Sequence, residues 1–214
     1  MNIAITTFLT NLYQPLADIT VNEMNKYCDK HGYHLNVNVI SNEESFHFVK
    51  TKDTRRLLDE FDIVAAIECD CLISNHTIAI ESFLDNENEL FYTTDRNGAN
   101  FGVYIVKSSE WTKQLFDWIN SQNHKYGDEQ NVIEQNPNID KAIKVKHPCF
   151  NSIPYNEYYP SLGVIGYMEG DIVTMPTHEQ GNFEKGDFIM HLPGHTLEAR
   201  CHIFQQYLKD IIYE

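Results

Sequence analysis

Glu68 and Asp70 stand two residues apart where an apolar run breaks off in the stretch IVAAIECDCLISN. In an extended segment residues i and i+2 face the same side, so the two carboxylates can converge on one point. Hard divalent ions are held this way, by one or two carboxylates with substrate phosphates completing the shell. A turn cap and a loop start would explain the same two acids without a metal. His191, in DFIMHLPGH, falls where an apolar strand pattern yields to Pro193 and Gly194. A lone histidine is commonly structural, but imidazole suits Mn²⁺ better than Mg²⁺ or Ca²⁺. Joined to the two acids, His191 makes manganese the favoured ion. Gly194 would let a backbone N–H come close to a phosphate.

Two further clusters are weaker. In DRNGANFGVYIV, Asp95, Asn97 and Asn100 punctuate a turn and Gly102 opens a strand, which a plain Asn-Gly turn explains equally well. In YGDEQNVI, Asp128, Glu129 and Gln130 gather at a helix start, where acids are ordinary caps and dipole complements. No single cluster is specific; their order along the chain carries the weight.

The elements that must position these residues can be read from periodicity. NIAITTF reads as a strand, and QPLADITVNEMNKYCDKHGY as a helix with Pro15 in its first turn and Gly32 past its end. Its stripe is Leu16, Ile19, Met24, Tyr27 and Cys28. HLNVNVI alternates as a strand, TKDTRRLLDEF reads as a short helix, and DIVAAI as a strand covered on both faces. This β-α-β-α-β opening implies a parallel sheet with right-handed crossovers. Ligands bind outside the carboxyl ends of such strands, where Glu68 and Asp70 lie, and likewise Thr6, Thr7 and Phe8.

Further on, FGVYIV reads as a strand and SSEWTKQLFDWINSQ as a helix capped by Ser108 or Ser109. A short helix starts at Asp128, and residues 148–170 read as loop. GDFIMHL is a late strand. The C-terminal helix carries Leu197, Cys201, Phe204, Leu208 and Ile211 on one stripe.

Composition narrows the function classes. The 214 residues are 42% hydrophobic and 12% aromatic, values of a folded chain of one domain. No apolar run approaches the ~20 residues that span a bilayer, and the opening MNIAITTFL lacks the pattern of a secretory signal. Five cysteines in no paired spacing point to free thiols in a reducing, cytoplasmic setting. A formal charge of −15 argues against nucleic acid and anionic membranes as partners. A small anionic ligand is admissible if a divalent cation neutralises it locally.

Taken together, NKYCDKHGY, KTKDTRRLLDEFDIVAAIECDCLISN, NGANFGVYIV, GDEQNVI and FIMHLPGH resemble the metal-dependent glycosyltransferases of the GT-A fold. The likeness is nearest to the galactosyl- and xylosyltransferases of family thirty-four, and extends to the amino-terminal glycosyltransferase domain of a large chlorella-virus protein. It implies a Rossmann-like α/β domain with a mostly parallel central sheet flanked by helices. Residues 1–105 would form the nucleotide-binding half, and 106–214 the half that completes the metal site and receives the acceptor. It also implies a viral enzyme of glycan biosynthesis working in host cytoplasm.

By that resemblance Glu68-Cys69-Asp70 takes the place of an Asp-x-Asp motif holding metal and ribose. His191 would be the third metal ligand, with Gly194 beside the phosphates. Thr6, Thr7 and Phe8 would hold uridine, with Tyr13 stacking on it. Lys50, with Lys52 as fallback, matches a family lysine. Asn100 would touch the donor sugar, and Asp128, Glu129 and Gln130 would lie at the reacting centre. Two features depart from the pattern: Glu68 is one methylene longer than aspartate, and the lysine that follows the histidine element is missing. His195 or Arg200 would stand in for that lysine.

The resemblance implies transfer of a hexose-type sugar from a UDP-sugar to a glycan or other hydroxyl acceptor, with Mn²⁺ or Mg²⁺ bridging the diphosphate. It favours retention, with Glu129 or Gln130 supporting the anomeric centre; inversion would use Asp128 or Glu129 as general base. The acceptor is expected at NEYYPSLG. A sugar nucleotidyltransferase would show a glycine-rich basic first loop, which TTFLTNLYQP lacks. A catalytically inactive glycan-binding or scaffold module is the other alternative.

Overall fold

The computed structural model describes residues 1–41, 46–95, 98–135, 143–145, 150–154, 167–169, 172–174 and 182–214. Strand β1 (Ile3–Thr10) leads through a 3-10 turn into helix α1 (Gln14–His31), then β2 (His34–Ile40), α2 (Phe46–Leu57) and β3 (Ile63–Ile67). β4 (Cys71–Ile73) follows at once, then the hairpin of β5 (Leu90–Asp95) and β6 (Gly98–Lys107). After α3 (Glu110–Ser121) and α4 (Glu129–Glu134) come β7 (Ile143–Val145), β8 (Tyr167–Glu169), β9 (Ile172–Thr174), β10 (Ile189–His191) and α5 (Leu197–Tyr207).

The central sheet has the order β2-β1-β3-β6-β5-β7. Its pairs β2–β1, β1–β3 and β5–β7 are parallel, while β6 runs antiparallel to both neighbours. The protein is thus a single mixed α/β domain. The alternation of side chains divides the core into two layers. Ala4, Val64, Ala66, Tyr104 and Val106 face α2, α3 and α4, whereas Ile5, Ile63, Ala65, Ile67 and Ile105 face α1 and the β4–β10 pair. With both faces covered, β3 is buried throughout, as its unbroken apolar run requires. β2 is the sheet edge and keeps Val37 and Val39 exposed.

The expected caps are present. Pro15 lies in the first turn of α1, and Gly32 closes it at φ 72°, a left-handed value that glycine adopts without strain. Ser109 caps α3 in a reciprocal box with Thr112, and Asp128 caps α4 through Asn131 N–H.

Three expectations need correction, and one is extended. α2 begins at Phe46 rather than Thr51. Gly102 lies inside β6 rather than opening it. The segment 148–170 contains a short strand, β8, paired with β9. The stripe expected on the C-terminal helix does pack on the core, with Phe204 and Ile211 buried and Leu197, Cys201 and Leu208 half-buried against the same cluster; the buried face of α5 also takes in Ala199, Arg200 and Ile203. Asn97, Cys149 and the NEYYPSLG segment lie outside the described residues.

Candidate active site

Strand register builds the site. β10 pairs antiparallel with β4, setting His191 opposite Cys71, and Leu192 N–H donates to the carbonyl of Asp70 at 3.0 Å. A residue near the C-terminus is thereby locked beside the end of β3. His191 Nε2 lies 3.6 Å from Asp70 Oδ1. His191 is 3% exposed and its ring lies against β6, at Gly102. A Cβ there would sit 2.2 Å from His191 Cε1, so no other residue fits without moving the ring.

The tautomer of His191 follows from the hydrogen bonds of Asn151. Asn151 directs its amide N–H groups at Thr93 Oγ1 and Asn100 Oδ1, both at 3.1 Å. Its carbonyl therefore accepts from His191 Nδ1–H at 3.0 Å. The lone pair of neutral His191 is then on Nε2, aimed towards Asp70. Among the described residues Asp70 Oδ1 is buried and has no hydrogen-bond partner. Burial, together with the negative charge of Glu68, pushes the Asp70 carboxyl above its ordinary range against the pull of His191 and Arg200. An orphaned carboxylate oxygen facing an imidazole lone pair, too far apart to bond each other, is a donor set that fits a divalent cation.

Cys71 also offers its sulfur within 4.8 Å of this pair. Its thiol points at the Gly102 carbonyl, and burial holds it protonated well past the ordinary cysteine range. It is therefore a poor partner for a hard ion. Glu68 stands apart from the pair. Its Oε1 lies 2.5 Å from Lys50 Nζ, and although burial works against its charge, Lys50 and His191 keep the carboxyl low.

Lys50 is 2% exposed and fastened between Glu68 and Glu129, whose Oε1 lies 2.9 Å away, and it also donates to the Phe101 carbonyl. Burial alone would lower its pKa, but Glu129 and Glu68 together raise it. Glu129 is 1% exposed, and its Oε2 lies 3.5 Å from His47 Nδ1. Gln130 accepts from Phe101 N–H at 2.9 Å, while Asp128 is occupied with its cap.

Of these groups Glu68, Asp70, His47 and Arg200 line a cleft of about 170 Å³ at the carboxyl end of β1 and β3. Phe8, Leu9 and Tyr13 give it an apolar wall; Glu68, Asp70, Arg200 and His47 give it its polar lining. Of the candidates read from the sequence, Phe8, Tyr13, Glu68, Cys69, Asp70 and Arg200 line this cleft. Thr6 turns to α2 and donates to Asp53 at 2.7 Å, and Thr7 is buried on the other face. Asn100 stands behind His191, its Oδ1 holding Gly102 N–H and Asn151. Gly194 is exposed, at φ 74°, in the turn before α5. Lys52 lines a different pocket with Asp53 and Arg56, and His195 turns to the Pro193 carbonyl. Sequence reasoning missed His47 and Asn151. No local signal marks either one, since their partners are fixed by tertiary contacts.

No protein-family model and no curated protein matches the sequence. Solved structures do. A glycosyltransferase involved in the glycosylation of the major capsid of PBCV-1 superposes with a TM-score of 0.73 at 16% identity, covering 96% of this chain and all of that one. The galactosyltransferase LgtC, crystallised with donor and acceptor sugar analogs, gives 0.56 at 13% identity over 97% of this chain and 96% of its own. The fold is that of the GT-A glycosyltransferases. The bifunctional glycosyltransferase WbbM also matches, at 0.60 and 9% identity, over 98% of this chain and 49% of its own. Identities this low carry the GT-A fold and nothing finer. Among the described residues no helix is long and apolar enough to cross a membrane.

Proposed function

We propose that this GT-A protein is a glycosyltransferase that moves a hexose-type sugar from a UDP-sugar to a hydroxyl of a glycan acceptor. In this reading Asp70 and His191 hold a divalent cation, Mn²⁺ ahead of Mg²⁺. The observation that carries it is the buried, unpartnered Asp70 Oδ1 facing a His191 Nε2 whose tautomer Asn151 fixes. A cation bound there would neutralise the diphosphate and stabilise the leaving UDP as a Lewis acid. For a chain at −15, that neutralisation is what makes a diphosphate ligand acceptable.

The residues divide the remaining work. Phe8 and Tyr13 offer faces for the uracil ring, and Cys69 and Glu68 lie where the ribose would rest. Thr6, Thr7, Asn100 and Gly194 do not line the cleft and are given no direct contact with the donor in this reading. Glu129 acts through Lys50 and His47 beside the reacting sugar, Gln130 fixes the Phe101 backbone, and Asp128 shapes the helix start. Residues 1–105 form the nucleotide half, and 106–214 the half that supplies His191 and the acceptor surface. The PBCV-1 relative makes viral glycan assembly the natural setting. The four described cysteines are free, in keeping with the cytoplasm.

One observation favours a second reading, an inactive glycan-binding module: Arg200 and Lys50 already neutralise Asp70 and Glu68. A thermal-shift screen of UDP-sugars with Mn²⁺ or EDTA, followed by assay of UDP release, separates the two. The enzyme reading expects a metal-dependent rise in melting temperature that Asp70→Ala and His191→Ala abolish, together with UDP release. Metal-independent binding, or a preference for GDP- or CMP-sugars, would refute it.

A further inference from the structure

The Asp70 carboxylate is divided between two neighbours. Its Oδ1 faces His191 without a hydrogen bond, while its Oδ2 lies 2.7 Å from Arg200 Nη2. Arg200 is a built part of the site: it is 8% exposed, and its Nε donates to the Leu192 carbonyl at 3.0 Å. Its guanidinium carbon lies 5.9 Å from the centre of the Tyr13 ring, and the side chain lines the same cleft as Asp70. Helix α5, capped by Thr196, delivers it there.

An arginine in this position acts on the cleft in two opposite ways. It repels a dication approaching the carboxylate it already holds. It attracts a diphosphate, whose oxygens suit the guanidinium fork. The neighbouring cation, Lys50, cannot serve the same purpose, because Glu68, Glu129 and the Phe101 carbonyl enclose it.

From this we infer that Arg200 couples the two ligands of the cleft. It holds Asp70 in the free protein, so that a divalent cation alone binds weakly, and it turns to the diphosphate when nucleotide enters, releasing Asp70 to the cation. Nucleotide and cation then strengthen each other by the same factor, as linkage requires. The inference rests on the cation-and-nucleotide reading above and adds to it the residue that links the two.

The test is calorimetric titration with MnCl₂, with UDP, with uridine, and with UDP at saturating Mn²⁺. The proteins are wild type, Arg200→Gln and Arg200→Lys, each checked by thermal melting. Wild type should bind Mn²⁺ alone weakly and bind it more tightly with UDP present. Arg200→Gln should bind Mn²⁺ alone roughly tenfold more tightly and UDP roughly tenfold more weakly, with uridine unchanged. The opposite signs are the signature, because a merely structural role would weaken both. A folded Arg200→Gln whose Mn²⁺ affinity does not rise, or whose UDP affinity does not fall, overturns the coupling. The parent reading survives that result if Asp70→Ala still abolishes Mn²⁺ binding. If wild type takes no Mn²⁺ even with UDP, both fail. Should Arg200→Gln not fold, Arg200→Lys decides: its retained charge should leave Mn²⁺ affinity unchanged while the lost fork weakens UDP severalfold, and a shift in Mn²⁺ affinity overturns the coupling.

Discussion

Replacing Gly102 by alanine tests the geometry on which the site depends, without touching a charged group. The added Cβ would lie 2.2 Å from His191 Cε1 and 2.9 Å from both ring nitrogens. A planar ring cannot yield at one atom, so the whole imidazole must move. It is held by the Nδ1–Asn151 hydrogen bond and by the backbone pairing of His191 with Ser152 and Cys71. Overpacking of this kind costs about 1–3 kcal/mol, and loss of the Asn151 bond about 1 more. At about 2–4 °C per kcal/mol for a chain of this size, melting should fall by roughly 4–16 °C. Mn²⁺ with UDP should then no longer raise it, because Nε2 is turned away from Asp70. Gly127→Ala is the control: no heavy atom lies within 4 Å of its Cβ and its φ is not positive, so it should melt as wild type. Differential scanning fluorimetry with and without Mn²⁺ and UDP reads both effects. A Gly102→Ala protein that melts like the control and keeps its metal response would show that His191 does not pack on β6, and the site as described would be wrong.

Two other consequences follow from buried charge. Lys50→Met leaves Glu68 and Glu129 without their shared cation and should cost about 3–5 kcal/mol; adding Glu129→Gln should recover part of it, and urea titrations of both variants would expose an independent, non-coupled pair. His76 is 1% exposed, and burial, only partly offset by Glu23, lowers its pKa to about 4. The unfolded chain therefore takes up that proton first as pH falls, and stability is lost between about pH 6.5 and 4. Urea midpoints across that window should fall more steeply for wild type than for His76→Gln, and equal slopes would refute the assignment.

The parts of the fold visible in the sequence are those governed by local rules. β1, α1, β2 and β3 announce themselves by period, by Pro15 and Gly32, and by apolar continuity where both faces are covered. The caps Ser109 and Asp128 are equally local. β4 is three residues long and its pairing partner, β10, lies far along the chain, so no window contains the signal. β5 escaped notice because its six residues run into the Asn-Gly turn, and only their pairing with β6 makes them a strand. The apolar stripe of α5 was legible, but the burial of Arg200 beside it was not. Hydrophobicity is a proxy for burial, and Arg200 is a charged residue buried while paired with Asp70.

The same distinction explains the site. Asp70 and His191 could be nominated from residue type and order, because few side chains suit a divalent ion. Their meeting depends on the β4–β10 register, and the direction of the imidazole depends on Asn151, a residue whose type announces nothing. The acids in the cleft also differ in what they can offer a ligand. Glu68 and Glu129 share Lys50, which they enclose, although Glu129 Oε2, like Asp70 Oδ1, has no hydrogen-bond partner among the described residues; Asp70 gives its other oxygen to an arginine at the cleft wall. Asp70 is therefore an acid whose partners can change when a ligand arrives. A cleft in a chain at −15 needs one such group if it is to accept a further negative charge and release it again.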